Sequence, residues 1–298
     1  MEQDLRGVRG PFVSGPLAPP SSTGGLLDVF RRRYVLKLLV RREISARYQG
    51  SVLGLLWSYI QPLSRFILYF FVMGIILGLR DIENFGIHLF AGLVMVSYFT
   101  DTFSSGTRSI VRNKAIVQKM AMPREMFPVA SMLVSLYHAI PQLVILVVAC
   151  MGVGWQPDRT GFLAVFLGFS IVAVLGTALA LLFSAANVFF RDFSNIVTTL
   201  TTFAHFSVPM MYPFTLVEAR FGAENVPYYL ANPLAEAVLL MQRGFWTTTT
   251  ADPAATALEH MPDHLFTRGL VHLGISLVLL VVAQLVFRRL ETKFPERL

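Results

Sequence analysis

Residues 161–187 read GFLAVFLGFSIVAVLGTALALLFSAAN, with no charged side chain from end to end. A helix rises 1.5 Å per residue, so about 20 apolar residues cross the roughly 30 Å of hydrocarbon in a bilayer. This stretch is long enough to do so, and it decides the class of fold. Outward from it, segments 53–79, 86–105, 126–153, 196–214 and 268–287 have the same character. The composition agrees: 14% of the 298 residues are charged and mean hydropathy is +0.59, whereas a soluble domain carries about 25% charged residues. The expectation is an all-α membrane protein with six transmembrane helices.

In a soluble chain a formal charge of +7 would point to nucleic acid. Among membrane spans the informative quantity is which loops hold the cations. The region before residue 53, loops 106–125 and 188–195, and the tail together hold 19 Lys and Arg. The opposite side holds Arg80, Arg159, Arg220 and Arg243. That asymmetry places both termini in the cytoplasm, in a multi-pass protein of the plasma (inner) membrane, with no role for nucleic acid.

Residues 1–25 are rich in Gly, Pro and Ser and read as a disordered cytoplasmic tail. Residues 26–48 contain no helix breaker. Leu27, Phe30, Tyr34 and Leu38 form a stripe at helical spacing, with Arg31 and Arg41 beside it, so the segment reads as an amphipathic helix lying on the membrane surface. A helix in solution remains the alternative. Residues 49–298 form the transmembrane domain. Residues 234–246 are apolar but too short to cross and read as a re-entrant outer segment, while 247–263 read as an exposed loop.

Several chemistries lack their residues. There is no Gly-x-x-x-x-Gly-Lys-Ser/Thr loop and no Gly-Lys pair, so ATP bound in that way, with its magnesium, would need another subunit. His260 and His264 are separated by Pro262, which breaks the helix that would align them as metal ligands. His88, His138, His205 and His272 each stand alone in apolar surroundings and read as packing residues. Cys150 sits inside an apolar run, where it fills space. The acidic residues are spread thinly over the outer loops, which disfavours a catalytic site and predicts a chain that is no enzyme.

The segment RYQGSVLGLLWSYIQPL, residues 47–63, sits where the surface helix turns into the first span. Gly50 and Gly54 permit the bend, Trp57 and Tyr59 suit the interface, and Pro62 kinks the span. Together with Glu43 upstream, this segment resembles the permeases of the ABC-2 class, specifically exporters of O-antigen, capsule, teichoic acid or galactan precursors. Asn187-Val188-Phe189-Phe190-Arg191-Asp192-Phe193 is similar to the family's short helix near the ATPase. Asn232-Pro233, followed by Arg243, is similar to its outer gate. The resemblance runs from about residue 41 to the C-terminus.

The resemblance implies two permeases working with two ATPase subunits, the pore lying between two copies of this chain. It implies ATPase coupling through Arg112, Lys114, Lys119, Arg124 and Glu125 of the second cytoplasmic loop and through Arg191 and Asp192, an ionic pair holding the next turn. It implies an outer gate at Asn232, Pro233 and Arg243. Sugar rings slide over aromatic faces without fixed hydrogen bonds, so the expected lining is Tyr59, Phe66, Tyr69, Tyr98, Phe99, Phe203 and Phe206. Arg65 lies about 18 Å into the first span and Asp101 about 22 Å from the outer end of the second, roughly 10 Å apart in depth. Arg65 is a candidate to meet the phosphate of a polyprenyl-pyrophosphate-linked glycan, with a structural arginine as the alternative. Gly74-x-x-x-Gly78 would allow close helix approach. The Ala- and Arg-rich composition resembles actinobacterial exporters of lipid-linked galactan for the cell wall. Exporters of teichoic acid or O-antigen, an ATP-independent lipid flippase and a lipid-modifying enzyme remain open.

Overall fold

The computed structural model describes residues 25–79, 82–120, 122–222 and 224–298, and every regular element among them is helical. Most of the expected tail, residues 1–24, and the outer cation Arg80 lie outside the described residues. In chain order the helices are α1 (Gly25–Arg31), α2 (Arg33–Tyr48), α3 (Trp57–Tyr69), α4 (Phe85–Arg112), α5 (Lys114–Lys119), α6 (Met126–Gly152) and α7 (Arg159–Phe189). They continue as α8 (Phe193–Phe206), α9 (Phe214–Phe221), α10 (Val226–Leu230), α11 (Pro233–Phe245), α12 (Pro253–His260), α13 (Leu265–Glu291) and α14 (Phe294–Arg297). A 3₁₀ turn, Gly54–Leu56, leads into α3, and a π-helical segment, Phe70–Ile76, follows it, where the Leu77 N–H reaches back five residues to the Val72 carbonyl at 3.0 Å.

Five helical stretches among the described residues are long and apolar enough to cross a membrane: Gly54–Ile76, α4, α6, α7 and α13. They fall on five of the six expected spans. The sixth, 196–214, is not one long helix. Its place is taken by α8, about 21 Å long at 1.5 Å per residue, and a buried turn beyond it. α8 flanks the C-terminal half of α4, with Arg108 donating to Thr198 at 2.8 Å. α11 flanks the N-terminal half, where Gly92 of α4 faces Met210 and Val238. The two meet near Ser207, whose carbonyl accepts from Asn232 Nδ2 at 3.3 Å. The 234–246 segment is therefore a helix packed into the core.

α4 is the central element, buried on nearly every side by α6, α7, α8 and α11. α13 packs on α7, and α2 on α6. α3 leans on this body at its edge, most of its surface exposed. The α7–α11 crossing is the tightest point. A Cβ added to Gly244 would stand 2.8 Å from the Gly161 carbonyl oxygen, so only two glycines let these backbones meet.

The expected surface helix is interrupted at Arg32 into α1 and α2, and its stripe, Leu27, Phe30, Tyr34 and Leu38, is exposed. A second apolar row, Val29, Leu36 and Leu39, turns inward onto the protein. Thr247, Thr248, Thr249 and Thr250, expected in an exposed loop, are buried. Each hydroxyl folds back onto a carbonyl three or four residues earlier, which satisfies it without water. Trp155 Nε1 donates to Thr248 Oγ1 at 2.8 Å and Asn84 Nδ2 to the Thr249 carbonyl at 2.7 Å, so this turn gathers the loops before α4 and α7. Gly74 is covered by Phe85 of its own chain and Gly78 turns the chain at φ +75°, which removes the pair as a contact between copies.

Candidate functional site

The segment 47–63 is pinned to the bundle by one histidine. Tyr48 Oη lies 3.0 Å and Ser58 Oγ 3.2 Å from His138 Nδ1, and Tyr48 and Ser58 also bond to each other. The helix-to-span turn is thereby closed across α6, with His138 packed and hydrogen-bonded in place. Beside it, Arg47, Gln61, Arg65, Ser97, Asp101 and Gln142 line a cavity of about 350 Å³. On the other side of Arg65 and Asp101 lies a second cavity of about 360 Å³, lined by Tyr69, Thr198, Thr202, His205 and Phe206. Arg65 and Asp101 border both cavities. Neither forms an ion pair within 4.0 Å among the described residues.

These two cavities make a polar crevice along one flank of an apolar body. An isolated charge at membrane depth is costly, so such groups face water, a partner or a path. Arg65 and Asp101 were legible as intramembrane charges. Arg47, Gln61, His138, Gln142, Thr198, Thr202 and His205 were not assigned to a site. His138 and Gln142, four residues apart on α6, and Thr198, Thr202 and His205, at successive helical turns on α8, each share one face, and that spacing was the local pattern that could have found them.

The expected lining residues divide. Tyr59, Phe66 and Tyr69 are half-buried along α3, and Phe203 and Phe206 project outward from α8. Tyr98 and Phe99 are packed in the core, Tyr98 against Phe169, and present no surface.

The cytoplasmic set divides too. Lys114 and Lys119 are exposed on α5, and Arg191 and Asp192 are exposed between α7 and α8. Among the described residues Arg191 and Asp192 form no ion pair within 4.0 Å; the turn is held by its backbone, with the Asp192 carbonyl accepting from the Asn195 N–H at 2.9 Å. Arg112 lies at the end of α4, pairs with Glu43 of α2 and keeps an exposed edge. Arg124 and Glu125 are buried and offer no outward surface. Arg124 donates to the Glu291 carbonyl and lies over the Phe294 ring at 5.7 Å, while Glu125 accepts from Gln284 at 2.7 Å. Burial draws the Arg124 guanidinium below its usual value against the opposing pull of Glu291 and Glu125.

The expected gate residues bind their own chain. Asn232 caps α11 by accepting from the Leu234 N–H at 3.0 Å, and Pro233 occupies the first turn. Arg243 reaches Asp158 at 2.9 Å and Thr160 at 2.8 Å, clasping the end of α11 to the start of α7. Burial alone would raise the Asp158 carboxyl, but its hydrogen bonds from Thr160, Arg243 and the Gly161 N–H hold it below the usual range.

A bundle of long apolar helices with a charged crevice open on one flank defines a polytopic membrane protein. The chain belongs to the ABC-2 type transporter family, whose model matches residues 34–240. It is similar to the O-antigen export system permease protein RfbA of Myxococcus xanthus, at 27% identity over 90% of this chain and 97% of that one. The protein of the same name from Klebsiella pneumoniae is 24% identical over 88% of this chain and 94% of its own. The polysialic acid transport protein KpsM of Escherichia coli is 22% identical over 70% and 80%.

Proposed function

We infer that this chain is the membrane-spanning permease subunit of an exporter that carries a lipid-linked polysaccharide to the outer face of the plasma membrane, ATP being hydrolysed by a separate partner. The observation that carries the reading is the crevice between α3 and α8. Its polar groups, with Phe203 and Phe206 beside them, lie on a flank that one copy alone leaves open. A second copy facing this flank would close it into a path lined by hydroxyls and aromatic rings, suited to a hydrated, ring-bearing chain. The relatives' names, O-antigen and polysialic acid permeases, support a polysaccharide cargo, and the composition favours cell-wall galactan.

In this reading the exposed cytoplasmic groups, Lys114, Lys119, Arg191 and Asp192 with the open edge of Arg112, meet the ATPase. α1 and α2 lie on the inner leaflet with Leu27, Phe30, Tyr34 and Leu38 in lipid. The test is co-purification with the ATPase encoded beside it, followed by ATP hydrolysis in lipid vesicles with and without lipid-linked glycans. A two-plus-two complex stimulated by lipid-linked galactan above the O-antigen and teichoic-acid carriers is the expected result. A chain that binds no ATPase would overturn the exporter reading.

A further inference from the structure

Beyond α13 the sequence reads TKFPERL, residues 292–298, with Phe294 and Leu298 four apart, so that one helical turn sets both on one face. The chain bends at Thr292 and Lys293 and returns to the bundle as α14, which buries Phe294 completely and Leu298 nearly so. The Phe294 ring stands edge-on to Phe287 of α13 at 5.5 Å and lies 6.2 Å from Phe189, the last residue of α7. A buried cation holds this return. Arg124, just before α6, donates to the Glu291 carbonyl, one of the last carbonyls of α13, which find no partner inside their own helix, and lies over the Phe294 ring at 5.7 Å. A guanidinium stays buried only where it is hydrogen-bonded or paired, and both of these contacts are to the bend between α13 and α14.

The apolar base under this bend is shared. Phe294 and Leu298 belong to one buried cluster with Val188 of α7, Val117 of α5 and Met126 of α6. Two exposed projections stand on that base: residues 190–192, directly after Phe189, and α5 with Lys114 and Lys119. These are the groups that the exporter reading sets against the ATPase. A partner that grips both needs them at a fixed spacing, and a turn ordered beforehand costs less to bind. A turn whose base packs on a fully buried ring is ordered beforehand.

We propose that α14 is a buttress that holds the turn at residues 190–192 in the posture its ATPase partner binds, with Phe294 as the positioning residue and Arg124 as the group that keeps it seated. Phe294 is fully buried and offers no surface to a partner; it acts through Phe189, whose ring it supports where α7 ends. The same arrangement explains why Arg124 and Glu125 turn inward. Arg124 reaches the end of α13, and Glu125 accepts from Gln284 of α13 at 2.7 Å. The identity of the partner as an ATPase rests on the exporter reading; the buttress itself rests on the packing.

The test compares full-length variants purified in detergent. Hydrogen exchange over residues 187–195, read by mass spectrometry, should be at least about tenfold faster in Phe294→Ala than in the wild type. Binding of the ATPase encoded beside this chain should weaken at least about tenfold in the same variant. Phe294→Leu, which keeps most of the apolar volume, should bring both back to within about threefold of the wild type. Gly244→Ala strains the opposite end of α7, beside Gly161; it should lower the thermal midpoint yet leave the exchange at the turn and the ATPase affinity unchanged, which separates positioning from a general loss of stability. If Phe294→Ala does not fold, Phe294→Val is read by the same two measures. Wild-type exchange at the turn in the variant, wild-type affinity for the ATPase, or equal weakening by Gly244→Ala would each overturn the proposal. A wild-type chain that binds no ATPase would sink the exporter reading and leave the exchange measurement to decide the buttress.

Discussion

At the scale of single residues, the α7–α11 crossing makes the sharpest demands. Gly244→Ala would put a methyl 2.3 Å from Val165 Cγ2 and 2.8 Å from a backbone oxygen that cannot rotate away. The expected cost is about 1–3 kcal/mol, read as a lower thermal midpoint of the detergent-purified protein. Gly274→Ala, with no atom within 4 Å of the new methyl, should leave the midpoint unchanged or slightly raised. The Asp158–Arg243 clasp beside it should be sensitive to acid. Because the folded carboxyl titrates below its unfolded value of about 3.9, its contribution is complete above that value and is lost as pH falls through the folded one. The midpoint difference between wild type and Asp158→Asn should therefore be constant near neutrality and shrink below about pH 4. A difference that persists unchanged in strong acid would assign the loss to packing. None of this was legible in the sequence, since Asp158 and Arg243 stand 85 positions apart and an arginine on an outer loop looks the same whether it is free or clasped.

Among elements, the long apolar helices were legible and the short ones were not. Segments such as α7 announce themselves because hydrocarbon imposes a minimum length and excludes charge. α8 and α11 share a crossing region between two shorter helices, and hydropathy averaged along the chain cannot see where a helix stops. The same limit hid the burial of Thr247–Thr250, polar by composition but satisfied internally, and of Arg124 and Glu125, cations and anions of a loop that happen to meet the end of α13. In α1 and α2 the outward apolar stripe was legible, while the row that packs on the protein, Val29, Leu36 and Leu39, was not. What holds α2 in place is Glu43, which accepts from Arg112 and, at 3.0 Å, from Asn113, while Arg42 donates to Asn113 at 2.8 Å. Glu43→Ala should release this end. An exposed pair contributes only about 0.2–1 kcal/mol, so global stability should barely move. Trypsin cleavage after Arg41, Arg42 or Arg47 should nonetheless become faster, and cleavage at the wild-type rate would mean that Leu36 and Leu39 alone hold the helix.

For the whole molecule, the decisive question is what covers α3 and the outer face of α8. α13 also exposes Leu270, Val278, Val281 and Leu285, which suits lipid, but the exposed Phe203 and Phe206 of α8 stand beside the cavity of Arg65 and Asp101, charges that lipid would not solvate. If a second copy faces this flank, Phe203→Cys should yield a disulfide-linked dimer on mild oxidation in membranes. The native Cys150 is buried and should give little background. Only monomers from Phe203→Cys and Phe206→Cys alike would place the partner elsewhere.

The π-helical segment Phe70–Ile76 bears on how such an assembly could move. A five-residue hydrogen-bonded loop in an otherwise α-helical rod is in effect one residue of slack. The inner end of the rod is tethered by the Tyr48–Ser58–His138 knot, and Phe85 packs against Gly74 within the π-helical segment itself. Slack placed beyond the knot lets the far part of the rod shift in register while the knot stays closed.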